Sequence, residues 1–325
     1  MRIGIFDSGL GGLIIAKAIK KAMPEYDYVY LGDTKRVPYG NRSHETVFEF
    51  TKQAVDYLFR KENCAIVIVA CNTASARALR RIQQEYLPEL NFTPSLRPRS
   101  EHSPLAGGEK THLTPDPSPE RGEGKMQRRV LGVLIPTAEE CAKYNRVGII
   151  GTNGTIASNT FVHEISKINS KTKIFQNPAP MLVPLAEEGE KVLAKPFIVK
   201  YLKPFLGKPR RSLKSGSRPQ ASGKIEALAL GCTHYPFFKA EIRKILPKNI
   251  RIISQDEIVP KKLKEYFKRH PELEKQLSRG KTPDQSKARY GAGNMKILLT
   301  EITPNIENLS KKWFGKDTKP ELIRL

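Results

Sequence analysis

Residues 64–87 read CAIVIVACNTASARALRRIQQEYL, and this stretch decides the fold class. Its first seven residues are apolar without alternation, the pattern of a strand buried on both faces. The remainder is rich in helix formers and begins with the polar run NTAS. A doubly buried strand that feeds straight into a helix is the repeating unit of a parallel sheet covered by helices. The same grammar extends to either side. RIGIF (2–6) is a strand ending at Asp7, SGLGG turns, and LIIAKAIKKAM continues as a helix. YDYVYLGD (26–33) is a second strand, and HETVFEFTKQAVDYLFRKE (44–62) has apolar residues three and four apart, as an amphipathic helix requires.

The unit returns later in the chain. RVGIIG (146–151) precedes TNGTIASNTFVHEISKI, a turn and helix, and KIFQNPA adds a strand. KIEALAL (224–230) runs into GCTHYPFFKAEIRKIL, and KILLTEITPNIENLSKKWF reads as a strand and a packed helix. IFDSGLGG corresponds in position to IIGTNGTI, and VACNTAS to ALGCTHY, so the chain reads as an internal duplication. The expected fold class is α/β: two similar domains with mainly parallel sheets flanked by helices. Residues 91–129 and 208–223 are rich in Pro, Gly, Ser and charge without apolar periodicity. Both are expected to be disordered surface insertions.

Bulk properties narrow the function. The chain has 325 residues, 39% hydrophobic, enough for two cores. Much of its formal charge of +23 lies from residue 208 onward, in runs such as KPRRSLKSGSR and VPKKLKEYFKRH. Such runs read as solvated surface, so nucleic acid is not an expected partner. The opening MRIGIFDSGLGG lacks the apolar core of a signal peptide, and no apolar run is long enough to span a membrane. Four cysteines without a CxxC pair make no disulfide framework. A cytoplasmic protein with reduced thiols is expected.

Cys71 and Cys232 each stand where a buried strand gives way to a helix, the edge that lines ligand crevices in doubly wound folds. A helix start favours negative charge, which is expected to lower a thiol pKa there. Cys64 and Cys141 lack that setting and read as packing residues. Asp7 and Ser8 end the first strand, and His234 follows Cys232 by two positions. A carboxylate raises a neighbouring thiol's pKa, so Asp7 is better suited to relaying charge or orienting an ammonium group. Thr73, Thr152, Thr155 and Thr233 sit at helix starts as hydroxyl donors or caps. The glycines after the first strand do not make a dinucleotide site: Ile14 stands where the last glycine of GxGxxG should be, and Asp7 would oppose a pyrophosphate. P-loop, HExxH and GxSxG patterns are absent, and no metal is expected.

Four ordered motifs, GIFDSGLGGL (4–13), LGDTKRVPYG (31–40), ACNTASA (70–76) and GCTHYP (231–236), resemble the glutamate racemases of bacterial cell-wall synthesis. GTNGTI (151–156) and LVPLAEEGE (182–190) match less sharply. The resemblance implies a cleft between two α/β domains, here residues 1–90 with about 245–325, and 130–244. It implies no cofactor, glutamate as substrate, and Cys71 and Cys232 as acid/base residues on opposite faces. It places substrate contacts at Asp7, Ser8, Tyr39, Gly40, Asn72, Thr73, Thr155, Thr233 and His234. Asp7, His234 and one of Glu187 or Glu188 would assist the thiols. RIISQDEIVP (251–260) departs from the acidic Ser-Gly turn usual in the family. An aspartate racemase of the same superfamily, or a basic binding protein that has lost catalysis, are the alternative readings. The sequence leaves the oligomeric state open, a homodimer included.

Overall fold

The seven apolar residues from Cys64 onward have no polar face to present, so they are buried on both faces inside a sheet. The computed structural model describes residues 1–92, 127–206, 225–278 and 293–325. Among these residues the strands are β1 (Arg2–Asp7), β2 (Tyr28–Gly32), β3 (Cys64–Val69), β4 (Arg129–Gly132), β5 (Arg146–Gly151), β6 (Lys173–Pro178), β7 (Ala227–Gly231), β8 (Arg251–Ile253), β9 (Met295–Leu299) and β10 (Glu321–Leu322). They form a six-stranded sheet, order β10-β9-β2-β1-β3-β4, and a four-stranded sheet, order β6-β5-β7-β8. Every pairing in both is parallel. The expected α/β class with two parallel sheets is what the chain adopts.

Register brings the functional edge together. Asp7 pairs with Gly32 and Phe6 with Val69, so β1, β2 and β3 end level with one another. Gly151 pairs with Gly231 in the second sheet, so Thr152 and Cys232 emerge side by side. Ile3, Ile5, Ile66, Val67, Leu228 and Leu230 are fully buried. Each such side chain contributes roughly 1.5–3 kcal/mol relative to exposure. The helix His44–Arg60 turns Val47, Thr51, Ala54, Val55 and Leu58 inward, and its Ser43 cap accepts from the Thr46 amide.

Four features differ from expectation. β4 joins the first sheet and β8 the second, so sheet membership is displaced by one strand at each expected boundary, residues 130 and 245. The physical reason is that each short strand crosses over to pair with the strand whose helix precedes it, β4 with β3 and β8 with β7. RIISQDEIVP is not a turn: it is β8 followed by the start of the helix Gln255–Arg269. That helix buries Val259, Leu263 and Phe267, one apolar residue every turn. The helix Lys191–Leu206 carries no clean helical signature in the sequence, because Pro196 and Pro204 interrupt its pattern. The expected insertion 91–129 is trimmed at its ends: Asn91 and Phe92 complete a helix, and Arg129 opens β4. Residues 93–126 and the expected insertion 208–223 lie outside the described residues.

Candidate active site

The level strand ends put one thiol from each sheet at the same place. Cys71 caps the helix Asn72–Arg77, its Sγ accepting from the Ala74 amide at 3.4 Å. The same thiol donates to Ser8 Oγ at 3.2 Å. Cys232 follows β7, with its Sγ 3.7 Å from His234 Nδ1. Ser8, Tyr39, Gly40, Cys71, Asn72, Thr73, Thr152, Cys232, Thr233 and His234 line one cavity, closed in by Val37, Pro38 and Val183. Its volume is about 20 Å³, room for roughly one water. Both thiols are nearly fully buried.

Behind this wall lie the other expected residues. Asp7 accepts from the Gly9 amide at 3.1 Å and from Thr233 Oγ1 at 3.2 Å. His234 Nε2 lies 3.0 Å from Glu187 Oε1. Glu188 is exposed, with Asn305 Nδ2 3.5 Å from its carboxylate, so the structure separates the two glutamates that the sequence left level. Thr155 bonds Thr152 at 3.0 Å and Thr73 at 3.3 Å rather than facing the cavity.

Two glycines make the close approach of these loops feasible. A Cβ on Gly11 would come within 2.6 Å of both His234 Nδ1 and Thr233 Oγ1. One on Gly40 would lie 2.9 Å from Thr152 Cβ, where the two sheets' loops touch. Arg77 spans the same contact, donating to the carbonyls of Arg42 and Gly154.

Electrostatics distinguish the two sides. Burial, and then the negative charge of Asp7, push the Cys71 thiol up to about 12. The Ser8 and Ala74 hydrogen bonds pull the other way without prevailing. The expectation that a helix start lowers this pKa is therefore corrected: one short helix does not offset dehydration of the sulfur. Asp7 is also raised by burial, against the lowering pull of His234 and of three hydrogen bonds. Burial opposes protonation of His234, but hydrogen bonds to Cys232 and Glu187 and their charges outweigh it. Its pKa stands well above the ordinary imidazole value. A protonated His234 thus bridges Cys232 and Glu187 on one side, while a neutral thiol faces Ser8 on the other.

Two side chains to which the sequence assigned no role in the site complete it. Asp33, fully buried, accepts from Tyr39 Oη (2.5 Å), Arg36 Nε (2.6 Å) and Thr300 Oγ1 (2.8 Å), which anchors the Val37–Gly40 wall. Gln255 pairs with the Asn72 carboxamide in both directions, at 2.8 and 2.7 Å. Among the described residues no cluster of three or more His, Cys, Asp or Glu forms a metal site, and no helix is long and apolar enough to cross a membrane.

No protein-family model matches the chain. The glutamate racemase of Aquifex aeolicus is 31% identical over 327 residues, covering 99% of this chain and 97% of its own. That of Chlorobaculum parvum is 34% identical over 273 residues, covering 82% and 80%. The chain belongs to the glutamate racemase family. The solved glutamate racemase of Francisella tularensis, in complex with D-glutamate, superposes with a TM-score of 0.72 at 25% identity, covering 99% of this chain and 97% of that one. The Aquifex pyrophilus glutamate racemase superposes with a TM-score of 0.65 at 29% identity, covering 99% and 98%. Family membership thus spans both sheets and the cleft between them.

Proposed function

We propose that this protein interconverts L- and D-glutamate without a cofactor, by proton transfer at Cα between Cys71 and Cys232. The observation that carries the reading is the placement of two thiols, one from each sheet, on a single small cavity ringed by fixed donors. An α-proton beside an ionised carboxylate is barely acidic, so stabilisation must come from preorganised groups and proximity. Two opposed sulfurs remove any need for one base to cross the substrate plane. In one direction a Cys232 thiolate takes the Cα proton of L-glutamate, and the Cys71 thiol delivers its own proton to the opposite face. Cys71 is left as thiolate and Cys232 as thiol, which is the starting state for the reverse reaction.

The resting charges fit that order. Cys71 is held as a thiol, the donor form. His234, charged and backed by Glu187, supplies positive charge beside Cys232. Ser8, Thr73 and backbone amides at the helix starts hold the substrate carboxylates. Asp7, behind Thr233, accepts from that hydroxyl and fixes its orientation. Glutamate is larger than the cavity, so the loops around Gly40 and Thr152 separate to admit it. D-glutamate formed in the cytoplasm serves peptidoglycan synthesis.

The test is incubation with L-glutamate in D₂O, without added cofactor, followed by chiral analysis and mass measurement. D-glutamate carrying one Cα deuterium is expected. Turnover of L-aspartate in preference to glutamate would replace the substrate, and no Cα exchange with either would remove the activity.

A further inference from the structure

Gln255 opens the helix that follows β8 in the second sheet, while Asn72 opens the helix that follows β3 in the first. Their carboxamides meet head to head. Asn72 Nδ2 donates to Gln255 Oε1 at 2.8 Å, and Gln255 Nε2 donates back to Asn72 Oδ1 at 2.7 Å. The second hydrogen of Gln255 Nε2 reaches Thr137 Oγ1 at 3.2 Å, and Thr137 in turn donates to the Val133 carbonyl at 2.8 Å. Gln255 and Thr137 are fully buried and Asn72 nearly so. Every hydrogen-bonding atom of the Gln255 side chain has a partner, which is the condition under which a buried amide rigidifies its surroundings. Asn72 directly follows Cys71, so this pair ties the turn bearing one thiol to the opposite sheet.

We propose that Gln255 is a positioning residue: through Asn72 it fixes the Cys71 turn relative to the second sheet and thereby the aim of Cys71 across the cavity. The assignment rests on the proposed racemisation for its kinetic consequence, but not for its structural one. Gln255 engages one hydrogen of Asn72 Nδ2 and one lone pair of Oδ1, which fixes the carboxamide plane and holds the turn while leaving the second N–H unused by this pair. Asn72 still lines the cavity, so a shift of its side chain moves the cavity wall and Cys71 together.

The experiment uses the full chain with Gln255→Leu and Gln255→Glu. Leucine keeps the volume and removes the amide. Glutamate, when ionised, can accept from Asn72 Nδ2 but sets a carboxylate oxygen against Asn72 Oδ1, and protonation restores a donor. The expected result for Gln255→Leu is a fall in kcat of about tenfold or more with KM changed much less, the split of a lost alignment rather than lost binding. Gln255→Glu is expected to recover relative to the parent as pH falls from 8 to 6. A second readout needs no racemase activity: iodoacetamide labelling of Cys71, mapped by mass spectrometry, should quicken by about tenfold in Gln255→Leu while Cys64 and Cys141 stay protected. A folded Gln255→Leu protein with parental kcat and parental Cys71 labelling overturns the assignment. If the leucine variant does not fold, Gln255→Glu decides, and a pH-independent ratio of its kcat to the parent's overturns it. A parent inactive on glutamate, with Cys71 labelling still changed by Gln255→Leu, sinks the proposed reaction and leaves the tie standing.

Discussion

A direct consequence of the buried site is that Cys71 resists ionisation in the ligand-free protein, and this can be measured by titration. An ordinary thiol has a pKa near 9, whereas burial and then Asp7 take Cys71 to about 12. At pH 9 an ordinary thiol is half thiolate, and Cys71 is thiolate in about one molecule in a thousand. Holding Cys71 as a thiolate at neutrality therefore costs on the order of 7 kcal/mol in the closed cavity. The assay is the ultraviolet thiolate absorbance of the parent minus that of Cys71→Ala, followed from pH 7 to 10. The difference is expected to stay near zero throughout. Asp7→Asn is expected to lower the midpoint, because it removes a negative charge, yet to leave it above the ordinary value, because burial is the larger cause. A difference spectrum half developed at or below pH 9 would refute the reasoning, and with it the view that dehydration governs this sulfur. The same substitution has a stability consequence. The Asp7 carboxyl is raised in the fold, so its ionised form is disfavoured there and stability falls as pH rises from the unfolded value to the folded one. Asp7→Asn should thus melt higher than the parent at neutral pH.

Further outcomes follow from the same geometry. Cys71→Ala and Cys232→Ala should each leave less than about one per cent of the parental turnover with an unchanged circular dichroism spectrum, and higher turnover in either would remove that thiol from the proton path. Glu187→Gln should lower the His234 pKa, since a charged partner is lost, and cut kcat by about tenfold or more, whereas Glu188→Gln, at an exposed position, should behave as the parent in both nuclear magnetic resonance titration and kinetics. Gly11→Ala should destabilise by roughly 1–3 kcal/mol, read from the urea midpoint, because its methyl would collide with His234 and Thr233. A parental midpoint for Gly11→Ala would mean that the two loops are not in close contact.

What the sequence made legible was the backbone framework and the residues that sit on it by position. An all-apolar strand such as CAIVIVA has one sensible place in a parallel sheet, and a cysteine one residue past its end must stand at the crevice edge. That logic, applied twice, puts Cys71 and Cys232 at crevice edges, and the registers Phe6 with Val69 and Gly151 with Gly231 set them on one cavity. Side chains whose role depends on a distant partner were a different matter. Asp33 has no anchoring role that the sequence alone can reveal, because its partner Thr300 lies 267 residues away. Gln255 sits 183 residues from Asn72 inside a segment read as an odd turn, although the buried spacing of Val259, Leu263 and Phe267 would have marked a helix. The Cys71 pKa departs from the sequence expectation for a related reason. A helix start is visible in a sequence, but the water excluded around a sulfur is a property of the closed cleft, and dehydration outweighs the dipole. Local pattern therefore states which residues reach the cleft, while their protonation and aim are set by tertiary partners such as Asp7, Glu187 and Gln255.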